Sequence, residues 1–395
     1  MTNPALDQLT DDQADLVARC HALAVNELRP RAAEWDERAE FPEDQFQKLR
    51  EAGLTGLTVP VEYGGQGLGT FEACLALEEL AAGCLASAMT IQMQVNGPPR
   101  VLARIGSDMQ RKEYLPRVAD GSMCFSIAMT EPQAGSDGTA LETELRPDGD
   151  DFRLSGTKCH ITGALRSDAF LVFCRAPETS GPDGIGAVLV ERDADGLAPI
   201  ETEPKMGGRA VAEGILRFEG VRVRADQVVL EPRKGSREGA RFLVRQFNPE
   251  RCGNAAMSIG LARSALDDAV DYVKQREQFG RPIVEFQGLQ WKIADMATAV
   301  DSARLLLWRA ARTDVKGFPG IRETAMAKLA ANEAALMVTS EALQLLGHKG
   351  YLTRYPMERY VRDAFGLGIG GGTIGVLRNM IAGEVTGVRV SQRKS

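Results

Sequence analysis

At 395 residues, with 44% hydrophobic and 26% charged positions, the chain has the make-up of a soluble globular protein able to bury one large core or two to three smaller ones. A net charge of −7 with a pI near 5.3 argues against nucleic acid or an anionic membrane as the main partner; the basic run Arg389 to Lys394 is too short to reverse that. Seven cysteines without CxxC spacing read as free thiols in a reducing compartment, and His21, His160 and His348 lack the spacing of metal ligands or of a Ser-His-Asp engine.

The first ten residues contain Asp7 and no basic-then-apolar run, so no export signal is expected. No apolar stretch is long enough to span a bilayer, and a cytoplasmic location is the expectation. Residues 1–121 are rich in Ala, Leu and Glu and read as a helical domain. Asp11-Asp12 offers a cap for a helix from Gln13 towards Leu28, with Leu16, Cys20 and Leu23 on one face. Pro42 to Ala52 and Phe71 to Ala82 repeat the helical pattern around the glycine-rich loop Val61 to Gly67.

Residues 122–232 change character. Phe152 to Ile161, Ala169 to Arg175, Gly186 to Glu191 and Gly214 to Val223 are short β-branched or aromatic runs separated by Asp-Gly turns. They predict a small antiparallel barrel or sandwich. Residues 233–395 return to helix. Ile259, Ala262, Leu266, Ala269 and Val273 form one stripe; Leu289, Ile293, Met296, Val300, Ala303 and Leu307 form a second; Met326, Leu329, Leu336, Leu343 and Leu346 mark a third. Such stripes suit an antiparallel bundle. The fold class is therefore α+β, mainly α.

Several segments carry chemistry. Met129 to Asp137 (MTEPQAGSD) is a turn between the helical and β regions, where Gly135 and Ser136 can offer backbone N–H groups and a hydroxyl to a polar ligand. Gly156 to Gly163 includes His160 and Thr162. Arg276-Glu277-Gln278-Phe279-Gly280 is followed by Gln287, and Gln344 leads into Gly347-His348-Lys349-Gly350-Tyr351. Gly370-Gly371-Gly372-Thr373 precedes an apolar helix for which Thr373 is a good N-cap. Upstream, Phe247-Asn248-Pro249-Glu250-Arg251 leads into the Ile259 helix; read alone, Glu250 is a first-turn glutamate favoured by the dipole.

In this order the motifs resemble the acyl-CoA dehydrogenase family over nearly the whole chain. The resemblance implies an N-terminal helical domain, a middle β-barrel and a C-terminal four-helix bundle, with FAD at the interface of a homodimer or homotetramer. It implies flavin contacts from Ile127, Met129, Thr130, Gly135, Ser136, His160, Thr162, Gly372 and Thr373. Arg276, Gln278, Phe279, Gln287, Gln344 and Gly347 would reach the FAD of a neighbouring subunit. Ser136, Asn248, Arg251, Gly370 and Gly371 would meet the substrate. Gly371 stands where most members carry the glutamate that removes the substrate's α-proton. In isovaleryl- and long-chain-like members that base lies at the position of Glu250, so Glu250 is the expected catalytic residue. His160 stands where a tryptophan usually packs on the flavin. The expected reaction is α,β-dehydrogenation of an acyl-CoA with a branched or bulky acyl group, electrons leaving through an electron-transferring flavoprotein. The alternatives are a divergent reaction on the same fold (carrier-protein thioester oxidation, desulfination or flavin monooxygenation) and a non-enzymatic flavin- or CoA-binding scaffold.

Overall fold

Thr10, not the Asp11-Asp12 pair, caps the first helix, α1 (Asp11–Leu23). Its side chain accepts from the Gln13 N–H while the Gln13 side chain accepts from the Thr10 N–H, and both aspartates lie in the first turn. The computed structural model describes residues 9–314 and 318–388; Asp7 and the Arg389 to Lys394 run lie outside them. A π turn and a 3-10 turn over residues 24–31 carry the chain into α2 (Ala32–Arg38), α3 (Glu43–Glu51), α4 (Thr70–Gly83), α5 (Leu85–Val95), α6 (Pro98–Ile105) and α7 (Asp108–Ala119). The helices expected from Pro42 and from Phe71 are α3 and α4. Nearly every residue of α4 is buried, because it is mostly apolar and packs against α1, α5 and a later helix, while its buried Glu78 and Glu79 pair with Arg304 and Arg263.

The strands β1 (Phe125–Ala128), β2 (Glu144–Asp148), β3 (Asp151–Thr162), β4 (Ala169–Arg175), β5 (Ile185–Glu191), β6 (Glu201–Glu203), β7 (Glu213–Val223) and β8 (Val228–Leu230) form one sheet. Its order is β6-β7-β3-β2-β4-β5-β8, with β1 paired to β4. The sheet is open and mixed, since β4 runs parallel to both β1 and β2. This corrects the middle antiparallel β-barrel that the resemblance implied; the runs themselves had left barrel or sandwich open. Alternation fixes which face a strand buries, whereas closure needs the two edge strands to pair. The edges here are the three-residue β6 and β8, which do not meet. A buried ion pair pins the exit of β1 to β3: Lys158 Nζ lies 2.7 Å from Glu131 Oε1 and donates to the Met129 carbonyl at 2.9 Å. Glu131 also accepts from the Glu142 and Thr143 N–H groups.

The remaining elements are α8 (Glu238–Gln275), the hairpin β9 (Glu277–Gln278) and β10 (Arg281–Pro282), α9 (Gln287–Arg312), α10 (Ile321–Leu345), α11 (His348–Tyr351), α12 (Met357–Ile369) and α13 (Ile374–Thr386). α10 packs on α8, α9, α12 and α13, so the helices whose stripes suggested an antiparallel bundle belong to a larger set than the four that the resemblance implied. The α8 stripe is buried as expected. On α10 the buried face is mainly Thr324, Ala327, Lys328, Ala331, Asn332, Ala335, Val338, Thr339 and Ala342; of the expected stripe Leu346 is buried, while Met326, Leu329, Leu336 and Leu343 are half-buried. Small residues let helices approach closely, and the larger ones are left at the flank. Among the described residues no helix is long and apolar enough to cross a membrane.

α8 joins two cores. Ala240, Leu243 and Phe247 pack with α6, α7, β1, β4 and β5, whereas Cys252 to Val273 pack with α4, α9 and α10. Removing one partner of a buried pair leaves an uncompensated charge, so Lys158→Met is expected to destabilise the protein by about 3–5 kcal/mol, measured by urea unfolding.

Candidate functional site

Pro249 lies inside α8, and roughly three turns of helix precede Glu250. Glu250 is therefore not a first-turn residue. Proline lacks the N–H that would bond to the Arg245 carbonyl, yet the helix continues because Gln246 to Gly253 are all buried against neighbours. Side chains brace the spot: Asn248 Nδ2 donates to Pro319 O at 2.8 Å, and Arg251 Nη1 donates to Asn248 Oδ1 at 3.0 Å and Val244 O at 3.3 Å.

The Glu250 side chain is only 9% exposed and its Oε1 has no hydrogen-bond partner. Burial pushes its carboxyl up to about 8, with the nearby Arg251 charge pulling the other way. Gln92 on α5 donates to the Glu250 carbonyl at 3.0 Å. Arg251 turns its Nε to the Gly371 carbonyl at 3.1 Å, and burial brings its guanidinium down to about 10. Asn248, Glu250, Arg251 and the Gly370 to Thr373 loop, widely separated in sequence, are thus one neighbourhood. Gly371 and Gly372 have φ of 72° and 103°, a backbone that side-chain-bearing residues avoid. Thr373 caps α13 by accepting from the Val376 N–H at 3.3 Å.

Lys328 is part of the same neighbourhood and was not foreseen. It is fully buried, and its Nζ donates to Gly372 O at 3.0 Å, Leu367 O at 3.3 Å and Asn332 Oδ1 at 2.9 Å. Asn332 donates onward to Asn254 and Ser258 on α8. Burial and the Arg251 charge push the Lys328 ammonium down to about 7. The available signal was the spacing Thr324, Lys328, Asn332, a polar stripe repeating every fourth residue in an alanine-rich helix.

The β-side residues form a second group. Ile127 lies on β1, and Met129 and Thr130 follow it; Thr130 O accepts from the Cys159 N–H at 2.9 Å, which sets them beside His160 and Thr162 on β3. Gly135 and Ser136 are exposed, and a Cβ at Gly135 would meet nothing. The β3–β7 register slips between Lys158 and Ile161, and within that slip His160 has φ of 56°. Its Nδ1 lies 2.9 Å from Glu203 Oε1, and its N–H donates to Glu203 Oε2 at 2.6 Å.

The third group sits at the far end of α8. Arg276, Gln278, Phe279 and Gln287 are exposed on the β9–β10 hairpin and the start of α9, as are Gln344 and Gly347 at the end of α10. Lys349 lies over the Tyr272 ring and so holds the end of α10 near the C-terminus of α8. From Glu250 to Arg276 the helix rises about 39 Å, at ~1.5 Å per residue. The hairpin and the buried carboxyl of a single chain therefore lie far apart.

Family profiles match in this same three-part order: the acyl-CoA dehydrogenase N-terminal domain at residues 10–122, the middle domain at 126–221 and the C-terminal domain at 237–386. The chain belongs to the acyl-CoA dehydrogenase family. It is an oxidoreductase acting on the CH–CH bond of acyl-CoA, and FAD is its cofactor. Over 98% of its length it is 41% identical to the 3-sulfinopropanoyl-CoA desulfinase of Paraburkholderia xenovorans (strain LB400), covering 99% of that protein. It is 39% identical to the mitochondrial short-chain specific acyl-CoA dehydrogenase of Sus scrofa, covering 93% of this chain and 88% of that one. The butyryl-CoA dehydrogenase structure from Megasphaera elsdenii superposes with a TM-score of 0.91 at 31% identity, over 96% and 99% of the two chains. The exposed Gly135-Ser136 turn and the exposed Arg276 hairpin fit FAD, offering unobstructed backbone and a guanidinium for its diphosphate.

A group whose folded-state carboxyl is raised holds a proton that the unfolded chain has already released. Stability linked to Glu250 is therefore full below about 4.5 and is lost as pH rises towards about 8. Relative to Glu250→Gln, the wild-type protein is expected to lose thermal stability progressively between those values. Calorimetry of the pair at stepped pH checks this, and the comparison cancels the opposite contribution of Lys328.

Proposed function

We propose that the protein dehydrogenates a branched or bulky acyl thioester at its α,β bond, with the Glu250 carboxylate taking the α-proton. The observation that carries this reading is the unpartnered, buried Glu250 carboxyl beside the Arg251–Gly371 link. A base with a raised pKa in a dry site is suited to a weakly acidic carbon. The Gly371 N–H would donate to the thioester oxygen, holding the enolate charge as it develops. Arg251, by binding the Gly371 carbonyl, would orient that peptide, and Asn248 and Ser136 would border the CoA arm. FAD, when bound, supplies the acceptor for the hydride that leaves the β-carbon. Gly370 and Gly371 in place of larger side chains leave volume for a branched acyl group, as in the isovaleryl- and long-chain-like members this chain resembles.

On this reading Ile127, Met129, Thr130, Gly135, Ser136, His160, Thr162, Gly372 and Thr373 hold the FAD of their own chain. Arg276, Gln278, Phe279, Gln287, Gln344 and Gly347 complete the site of a neighbouring copy. Two features support a homodimer or homotetramer: the separation along α8, and exposed apolar side chains at Phe279 (93%), Trp291 (63%), Tyr351 (75%) and Ile369 (66%). The three-domain division at residues 121 and 232 and an electron-transferring flavoprotein as acceptor belong to the same proposal, with CoA the carrier. A second reading, desulfination, is favoured by Gly371 in place of the common glutamate together with the likeness to a desulfinase.

Anaerobic titration with a panel of acyl-CoA thioesters tests the main reading. Bleaching of the flavin by branched thioesters is expected, with kcat/KM rising tenfold per pH unit below about 8 and levelling above it. Glu250→Gln should slow bleaching by about 10²–10⁴-fold and remove that pH limb. Turnover of 3-sulfinopropanoyl-CoA that survives Glu250→Gln would favour desulfination instead. Phe279→Asp is expected to lower both the sedimentation coefficient and the FAD content of the purified protein.

A further inference from the structure

Three arginines stand one turn apart at the start of α8: Arg237 at the N-cap, then Arg241 and Arg245. All three are exposed, and among the described residues none has an ion pair, a side-chain hydrogen bond or a ring contact. Their neighbours Arg233 and Lys234 are by contrast paired with Glu231 and Glu178. Glu238 is the one carboxylate in the sequence between Arg237 and Phe247, and it makes no ion pair among the described residues.

This placement is unfavourable in the free protein. Arginines four apart repel each other, and positive charge in the first turn opposes the helix dipole. A local rule broken without compensation is expected at a functional place, and the missing partner of these cations is an anion.

Beyond Arg251, α8 is buried as far as Ala262 except for half-buried Asn254. The way from Glu250 to solvent along this helix therefore runs towards its N-terminus. Arg237, Val244 and Arg251 fall within about 40° of one another around α8, and Arg241 lies within about 80° of Arg251. Val244 is half-buried and its carbonyl accepts from Arg251, so this face continues that of the Arg251–Gly371 link. From Glu250 the helix rises about 13.5 Å to Arg241 and about 19.5 Å to Arg237, at ~1.5 Å per residue. The pantetheine arm of CoA has about 13 bonds from sulfur to the first phosphorus, and at the ~3.4 Å that an extended chain covers per three bonds it spans about 15 Å. A thioester beside Glu250 would bring the diphosphate to the level of the two arginines.

We propose that Arg237 and Arg241 bind the phosphates of CoA and so select it over carriers without a nucleotide. This deepens, and rests on, the placing of the thioester beside Glu250. Planar guanidinium forks suit phosphate oxygens. One diphosphate can meet both side chains, which start about 6 Å apart along the axis. Arg245 is turned about 120° from Arg251 and stands only about 7.5 Å from Glu250 along the axis, level with the uncharged middle of the arm, and is assigned no phosphate.

The test compares isovaleryl-CoA with isovaleryl-pantetheine on the FAD-loaded protein, by calorimetric dissociation constants and by rates of anaerobic flavin reduction. The CoA ester is expected to bind at least about tenfold tighter, and that advantage should shrink as salt rises. Arg237→Gln/Arg241→Gln should bring the ratio towards one through the CoA ester alone, with the pantetheine ester bound as in the wild type. Arg245→Gln should keep the wild-type ratio. A wild-type ratio of one, or a ratio that the double variant does not lower, overturns the inference. Equal weakening of both thioesters overturns it in favour of a structural role. Tighter binding of the isovaleryl group on an acidic carrier protein than on CoA, lost in the double variant, overturns it in favour of that protein. The expected binding pattern without bleaching of the flavin by any thioester would remove the reading of Glu250 as base and keep the two arginines as the phosphate site.

Discussion

The hydrogen bond from Arg251 to the Gly371 carbonyl organises the centre of this protein. Arg251 and Glu250 are adjacent and both buried, and the simplest outcome would be an ion pair that lowers the carboxyl. Instead the guanidinium spends its donors on Gly371 O, Val244 O and Asn248 Oδ1. Lys328 does the same with Gly372 O, Leu367 O and Asn332 Oδ1. Two cations are thereby satisfied by neutral oxygens, and the carboxyl keeps its raised affinity for a proton. The glycine loop gains rigidity from the same bonds, held from α8 on one side and α10 on the other.

α8 is the element through which this arrangement communicates with the rest of the fold. Its first turns pack on the sheet and on α6 and α7, and its later turns pack in the helical core. Its far end presents the β9–β10 hairpin to solvent. A single rigid rod thus fixes the buried carboxyl relative to the sheet and also fixes how far from it the hairpin lies.

Much of this was legible in the residues. β4 runs over the very residues read from the sequence as a strand, and the α8 stripe is the core stripe, because burial repeats at the period of the element. Sheet closure was not legible, since it depends on which edges meet. The start of α8 was misread for a local reason: Pro249 signals a helix boundary, but tertiary packing of Gln246 to Gly253 outweighs one missing hydrogen bond. The family resemblance drew attention to Glu250 and Gly371 as a pair. Lys328 escaped because a lysine in a helix is ordinarily a solvated one, and the groups that hold it are carbonyls, which sequence does not reveal.

The left-handed backbone at His160 acts as a filter on what can occupy that position. At φ of 56°, glycine would sit free of strain, asparagine would tolerate it, and a β-branched residue would be driven back to extended geometry. Such a reversion would close the slip between Lys158 and Ile161 and turn the following residues to the opposite face of the sheet. The mutational paths open to this strand are therefore narrow, decided by its torsion angles before any ligand is considered.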